Sequence, residues 1–156
     1  MSATTVRAAT ADDVPRIAAL IAMGHASRPM DAVQAAEEGR LPVYAQAFRQ
    51  VVESGANHLF VAERAGRVVG TYQLTVLPGI AERGRTRGKI ESVHVDPECR
   101  GTGVGGAMMQ HAIQEARRLG IGLLELSSNK SRTDAHRFYE RLGFARSHEG
   151  FKMALD

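Results

Sequence analysis

The chain has 156 residues, 44% apolar and 24% charged, and its 20 basic against 17 acidic side chains leave a net charge of +3 with a pI near 9.4. That length suits one domain, 1–156, with one sizeable core. No run of ~18 apolar residues allows a membrane span, residues 1–10 hold no apolar leader, the scattered arginines give no nucleic-acid-binding stripe, and the lone Cys99 permits neither an internal disulfide nor a zinc cluster; a cytoplasmic location without a bound metal is expected.

Thr5–Ala8 reads as a short edge strand, followed by helix-capping residues Thr10, Asp12 and Asp13. Val14, Ile17, Ala18 and Ile21 fall at helical spacing, with Pro15 harmless in the first turn. A loop over 24–30, a short helix over 32–38 and a second helical piece opening at Pro42 follow. From Leu59 the period becomes that of strands. Leu59–Glu63 and Val68–Leu77 flank the hairpin signal Ala65-Gly66, and Lys89–Val95 alternates beyond an arginine- and glycine-rich loop over 78–88. Ala107–Leu119 carries one apolar stripe that includes Met108 and Met109, and Gly120 stands at its C′ position. Leu123–Ser127 is a strand, Thr133–Leu142 a helix stopped by Gly143, and Ala145–His148 with Phe151–Leu155 predict a terminal hairpin.

The order β, αα, βββ, α, β, α, ββ implies an α+β fold: a single mixed central sheet of about six to seven strands, flanked by helices on both faces. The strand–helix–strand segment 89–127 places its two strands parallel, because the helix is the crossover.

The segment Arg100-Gly101-Thr102-Gly103-Val104-Gly105-Gly106 lies between a strand and the long helix. Its glycines let the backbone turn tightly and expose amides at a helix N-terminus, where donors lack partners and the dipole is positive. A diphosphate fits such a place. The loop lacks the Gly-Lys-Ser/Thr of a Walker sequence and the G-x-G-x-x-G spacing of a dinucleotide fold. Taken alone, it is also compatible with a glycine turn that binds nothing.

Ile90–Pro97 followed by Arg100-x-x-Gly103-x-Gly105 resembles the acetyl-CoA signature of the GCN5-related N-acetyltransferases (GNAT), and Ala135-His136-Arg137-Phe138-Tyr139-Glu140-Arg141-Leu142-Gly143-Phe144 resembles that family's A-x-x-x-Y-x-x-x-G-F helix and turn. The resemblance spans roughly 57–155 and leans toward the small-molecule-acetylating branch. It implies acetyl-CoA as cosubstrate. Gly101, Thr102, Gly103, Val104, Gly105 and Gly106 would bind the diphosphate through backbone amides, with Arg100 adding charge. Val93, His94 and Val95 would hold the pantetheine arm as an added strand does. Tyr139 would protonate the leaving thiolate, and Glu91, directly or through water, would take the proton from the amine. Where many members carry an asparagine seven residues before this tyrosine, this chain has Arg132; Asn129, three residues earlier, is the candidate contact with the cofactor.

Each role has a bland alternative. Glu91 shares a face with Val93 and Val95 by simple alternation, and a surface ion pair would explain it as well. Tyr139 alone would read as an amphipathic core tyrosine. His94 is an alternative base, and Cys99 a conceivable acyl-accepting nucleophile. The expected reaction is acetyl transfer to a primary amine of a small acceptor by direct attack. The alternative is a non-catalytic CoA-binding or regulatory module. Arg83, Arg85 and Arg87 hint at an anionic acceptor, segments 22–56, 78–88 and 146–151 would shape its pocket, and the resemblance implies a homodimer.

Overall fold

The computed structural model describes residues 2–156. Its centre is a five-stranded sheet in the order β1 (Thr5–Ala8), β2 (Asn57–Arg64), β3 (Arg67–Leu77), β4 (Arg87–Val95), β5 (Leu123–Leu126). Neighbours are antiparallel except β4 and β5, which are parallel. That one parallel pair follows from its crossover, helix α5 (Val104–Arg118). Helices α1 (Val14–Met23), α2 (Ala32–Glu38) and α3 (Pro42–Glu53) fill the first connection, a single turn α4 (Ala81–Gly84) interrupts the loop before β4, and α6 (Thr133–Arg141) follows β5.

The predicted periodicities explain the packing. The apolar stripe of α5 buries Val104, Met108, Met109 and Ala112 against Phe60, Ala62, Val69, Tyr72, Leu74 and Ile90 of the sheet. The other face is covered by α1, which buries Ile17, Ala18, Ala19 and Leu20. At the entry to α1, the Asp13 carboxylate accepts from the Thr10 amide at 2.8 Å and from both terminal nitrogens of Arg7. α5 begins at Val104, three residues before the expected Ala107, because Gly105 and Gly106 belong to its first turn.

Two expectations are corrected. The sheet has five strands, not six to seven, and the terminal hairpin over Ala145–His148 and Phe151–Leu155 is absent. Residues 145–156 have no regular structure and every one of them is exposed. The alternation that suggested strands is real, but a strand forms only where another backbone offers its donors and acceptors.

Candidate active site

β4 is the strand on which the site is built. On one side it pairs with β3 along its length; on the other, β5 accompanies it only from Arg87↔Leu123 to Ile90↔Leu126. Beyond Ile90 the inner edge of β4 has no neighbouring strand, and Glu91–His94 border a cleft of ≈ 230 Å³. The register to β3 also slips here: Gln73 faces Glu91 and Thr71 faces His94, one extra residue on β4. Ser92, at φ 52, is the bulged residue.

The bulge resets which side chains share a face. Ile90 is in the core beneath α5, and Val93 and Val95 pack against that same core. Glu91 therefore lies opposite Val93 and Val95, not beside them as plain alternation predicts, and joins His94 on the α1 side. There the His94 ring lies against the end of α1. A Cβ on Gly24 would come within 2.2 Å of its Nδ1, so only glycine fits that position. Burial, reinforced by Arg132, Arg100 and His25, lowers the His94 pKa to about 4. A neutral imidazole that weakly basic is a poor acceptor for an ammonium proton at neutral pH.

Glu91 and Tyr139, far apart in sequence, line the same cleft. The Glu91 side chain is 45% exposed, with Lys89 Nζ at 3.7 Å from Oε1. Tyr139 stands on α6, braced by Phe138 (ring centroids 5.3 Å apart) and Phe144 (6.0 Å). Burial raises its pKa, against a smaller opposing pull from Arg132, so it holds its proton at neutral pH. Among the described residues no protein group hydrogen-bonds its hydroxyl, and Tyr139 lines the cleft.

In the chain, β4 leads to the glycine loop. Asp96, buried, anchors the start: its amide donates to Val69 O at 2.8 Å, and its carboxylate accepts from the Glu98 amide at 2.9 Å, from Arg67 at 3.0 Å and from Arg16. Burial opposes ionisation of that carboxyl, but the Glu98 amide and Arg16 outweigh it and hold its pKa below the ordinary range. Thr102 anchors the middle: its hydroxyl donates to Cys99 O at 2.5 Å and accepts from Arg64 at 2.7 Å. Gly103, at φ 93, caps α5, and a Cβ on it would meet nothing within 4 Å; the conformation, not crowding, demands glycine. The first amides of α5 thus open onto unobstructed space, a geometry that fits a diphosphate. Arg100 is exposed beside them.

Asn129 reaches the cleft, but its Oδ1 already accepts from the Ser131 amide at 3.0 Å and hydroxyl at 2.7 Å, leaving its amide nitrogen as the free donor. Arg132 donates to Gly24 O at 2.8 Å and so ties the start of α6 to the end of α1 across the site. Neither this tie nor the anchoring by Asp96, Arg16 and Arg64 has a signature in the local sequence, except that Asp96 before Pro97 has the form of a capping residue. The arginine cluster is largely engaged elsewhere. Arg85 donates to Gly122 O, Arg87 pairs with Glu125 at 3.0 Å, and Arg83 is exposed. A second concavity of ≈ 390 Å³, between Met30 and Leu41, contains none of the expected site residues.

The model of the acetyltransferase (GNAT) family matches residues 25–144. The chain belongs to that family. Acetyl-CoA is the cosubstrate of GNAT proteins. This GNAT chain is 40% identical to the aminoalkylphosphonate N-acetyltransferase of Salmonella typhimurium and 38% identical to the glucosamine 6-phosphate N-acetyltransferase of Trypanosoma brucei brucei, each over 98 residues that make up 63% of this chain and 63% of the relative. The matched segment is thus just under two thirds of the length of these curated relatives. A solved structure described as a transcriptional regulator from Bacillus halodurans C-125 superposes with a TM-score of 0.85 at 34% identity, over 98% of this chain and 100% of that one. No helix among the described residues is long and apolar enough to cross a membrane.

Proposed function

We propose that residues 1–156 act as one catalytic unit that transfers the acetyl group of acetyl-CoA to the primary amine of a small, anionic acceptor, in the reducing cytoplasm and as a homodimer. The observation that carries this reading is that Glu91 and Tyr139 line one cleft beside β4, the strand that precedes the Arg100–Gly106 loop and α5.

The family resemblance suggests the roles, and the geometry is consistent with them. The amides of Gly101–Gly106 hold the diphosphate, with Arg100 supplying positive charge. The free edge of β4 at Val93, His94 and Val95 receives the pantetheine arm by strand-like hydrogen bonds, and Asn129 offers an amide donor from across the cleft. A primary ammonium has a pKa near ~10.4 and no lone pair, so it must lose a proton before it can attack. Glu91, half-exposed and therefore in contact with water, accepts that proton through a water molecule. The Val93 amide stabilises the negative charge that develops on the thioester carbonyl oxygen. Tyr139 donates its proton to the departing sulfur. Holding both reactants in one cleft supplies the advantage of proximity.

Support for an anionic acceptor comes from Arg132 and His25 on the cleft wall and from the two relatives, whose names specify amines carrying phosphonate or phosphate. The arginines at 83, 85 and 87 are not needed for it. The test is turnover of acetyl-CoA with aminoalkylphosphonates and amino-sugar phosphates beside their uncharged analogues. The expected result is turnover of the anionic amines with a lower KM. Turnover of the neutral analogues alone would remove the anionic acceptor.

The structure described as a transcriptional regulator favours a second reading, a cofactor-binding regulatory module. Such a module would bind acetyl-CoA, turn over no amine in the panel, and be indifferent to Tyr139→Phe.

A further inference from the structure

Arg7, Arg16, Arg67, Arg87, Arg118 and Arg137 each pair with an aspartate or a glutamate. Arg64, the last residue of β2, does not: among the described residues its hydrogen-bond partners are neutral oxygens. Its Nη1 donates to Thr102 Oγ1 at 2.7 Å, and its Nη2 donates to Thr102 O at 3.0 Å. Nε and Nη2 also donate to Thr4 Oγ1, at 3.2 and 2.9 Å. One planar guanidinium thus ties the residue before β1 to the middle of the glycine loop.

The tie falls where the loop has least to hold it. Gly101 and Gly103, on either side of Thr102, both have positive φ, at 74 and 93. A Cβ on either glycine would meet nothing within 4 Å, so no neighbouring side chain packs against them. Glycine adopts either sign of φ at little cost, so the peptide that joins Thr102 to Gly103 has two orientations open to it. Arg64 selects one. A trans peptide is planar, and its C=O and N–H point in opposite directions. With Nη2 holding the Thr102 carbonyl, the Gly103 amide faces away from Arg64. The Thr102 hydroxyl reinforces the choice, donating to Cys99 O at 2.5 Å while it accepts from Nη1. A flipped peptide would present a carbonyl oxygen in place of the amide, and that oxygen repels the anion the amide attracts.

We infer that Arg64 is a positioning residue for the cosubstrate: it fixes the peptide between Thr102 and Gly103 so that the Gly103 amide is available to the diphosphate, and it does so without touching the ligand. Its charge adds to the effect. Because its partners are neutral, no carboxylate among the described residues cancels the guanidinium, and a full positive charge stands at the loop. The inference rests on the reading of Gly101–Gly106 as the diphosphate site. It adds to that site a residue of β2, a strand separated from β4 by β3.

The test is a calorimetric titration of the full chain with acetyl-CoA, beside an NMR titration with S-acetylpantetheine, which carries the same thioester arm and no diphosphate. Arg64→Met is expected to weaken acetyl-CoA binding roughly tenfold, the weight of one hydrogen bond from a charged donor, and to leave the affinity for S-acetylpantetheine unchanged. Arg64→Lys keeps the charge but not the fork, and is expected to recover only part of the loss. Thr102→Val removes the hydroxyl and leaves the carbonyl to Arg64; about threefold weaker binding of acetyl-CoA alone is expected. Circular dichroism monitors folding. Parent affinity for acetyl-CoA in a folded Arg64→Met chain overturns the inference; where that variant does not fold, parent affinity in Thr102→Val overturns it instead. An equal loss for both ligands also overturns it, since that marks a general effect on the fold, and so does full recovery by lysine, which would make charge alone sufficient. A parent chain that binds acetyl-CoA no more tightly than S-acetylpantetheine would overturn the diphosphate reading itself, and this inference with it.

Discussion

The two halves of β4 are nine consecutive residues of one strand with opposite duties. Arg87–Ile90 is paired on both sides, and Ile90 is 1% exposed in the core. Glu91–Val95 is paired on one side only and carries a residue at positive φ, and Glu91–His94 border the cleft. The first half is satisfied internally and contributes stability. The second leaves backbone donors and acceptors unpaired by the sheet, which is costly unless water or a ligand takes them. The contrast teaches where to look for function on a sheet: at the residue where pairing stops, provided the backbone there still has its polar groups free.

The contrast can be broken most severely in its first half. Ile90→Ala is expected to cost about 2–5 kcal/mol of stability, because a buried aliphatic side chain is replaced by a cavity. Urea denaturation measures this, and at temperatures where the variant remains folded its acetyl-CoA affinity should stay close to that of the parent. Equal losses of stability and affinity would mean that the two halves are not separable.

Tyr139→Phe probes the wall opposite the second half. It removes only the hydroxyl, and the ring keeps its contacts with Phe138 and Phe144. Turnover should fall on the order of 10²-fold, in kcat and kcat/KM together, with stability and acetyl-CoA binding little changed. Steady-state kinetics with a good acceptor, combined with a binding titration, checks it. A full-rate variant under conditions where chemistry limits would make Tyr139 a packing residue.

Glu91→Gln sharpens the same contrast from the strand side. The expected loss is smaller, roughly tenfold at neutral pH, since a half-exposed carboxylate acting through water is replaceable in part by water itself. The defect should shrink as pH approaches the pKa of the amine, and a pH–rate profile parallel to that of the parent would move the role elsewhere.

The least dramatic effect is on acid stability. His94 titrates near 4 in the folded chain, below its ordinary value, because burial and neighbouring Arg132, Arg100 and His25 penalise its cation. As pH falls from about 6.5 toward 4, the unfolded chain takes up this proton first, so folding stability declines across that window and levels off below it. Burial lowers the pKa of His111 too, with the same sign. His94→Gln should therefore reduce the decline without abolishing it, as thermal unfolding measured across this pH range would show. An unchanged slope would mean that the ring is not buried in solution.

Local chemistry was legible wherever a residue's constraint was its own. Thr10 and Asp13 are capping residues because of what their side chains can accept, Gly103 stands where φ is positive, and the stripe of α5 is buried because 3.6 residues make a turn. The loop that fits a diphosphate was readable for that reason, and the family's spacing singled out Glu91 and Tyr139 as the proposed pair. What could not be read was juxtaposition. Nothing near Ser92 announces a bulge, since the extra residue is defined by a register to β3 set elsewhere, and so the face on which Glu91 and His94 lie was misjudged. Arg132 meets Gly24 over a separation that no periodicity spans.

The sequence by itself determined the helices, the caps and the glycine loop, because each depends on the conformational preferences and side chains of a few adjacent residues. Only the tertiary structure decided that β4 and β5 part after Ile90, that Glu91 and Tyr139 line the resulting cleft, and that the apolar alternation at Phe151–Leu155 pairs with nothing in its own chain. Those outcomes depend on which backbone stands beside which. A backbone's hydrogen bonds in a sheet, and hence its strands, clefts and open edges, are properties of pairs and not of a segment.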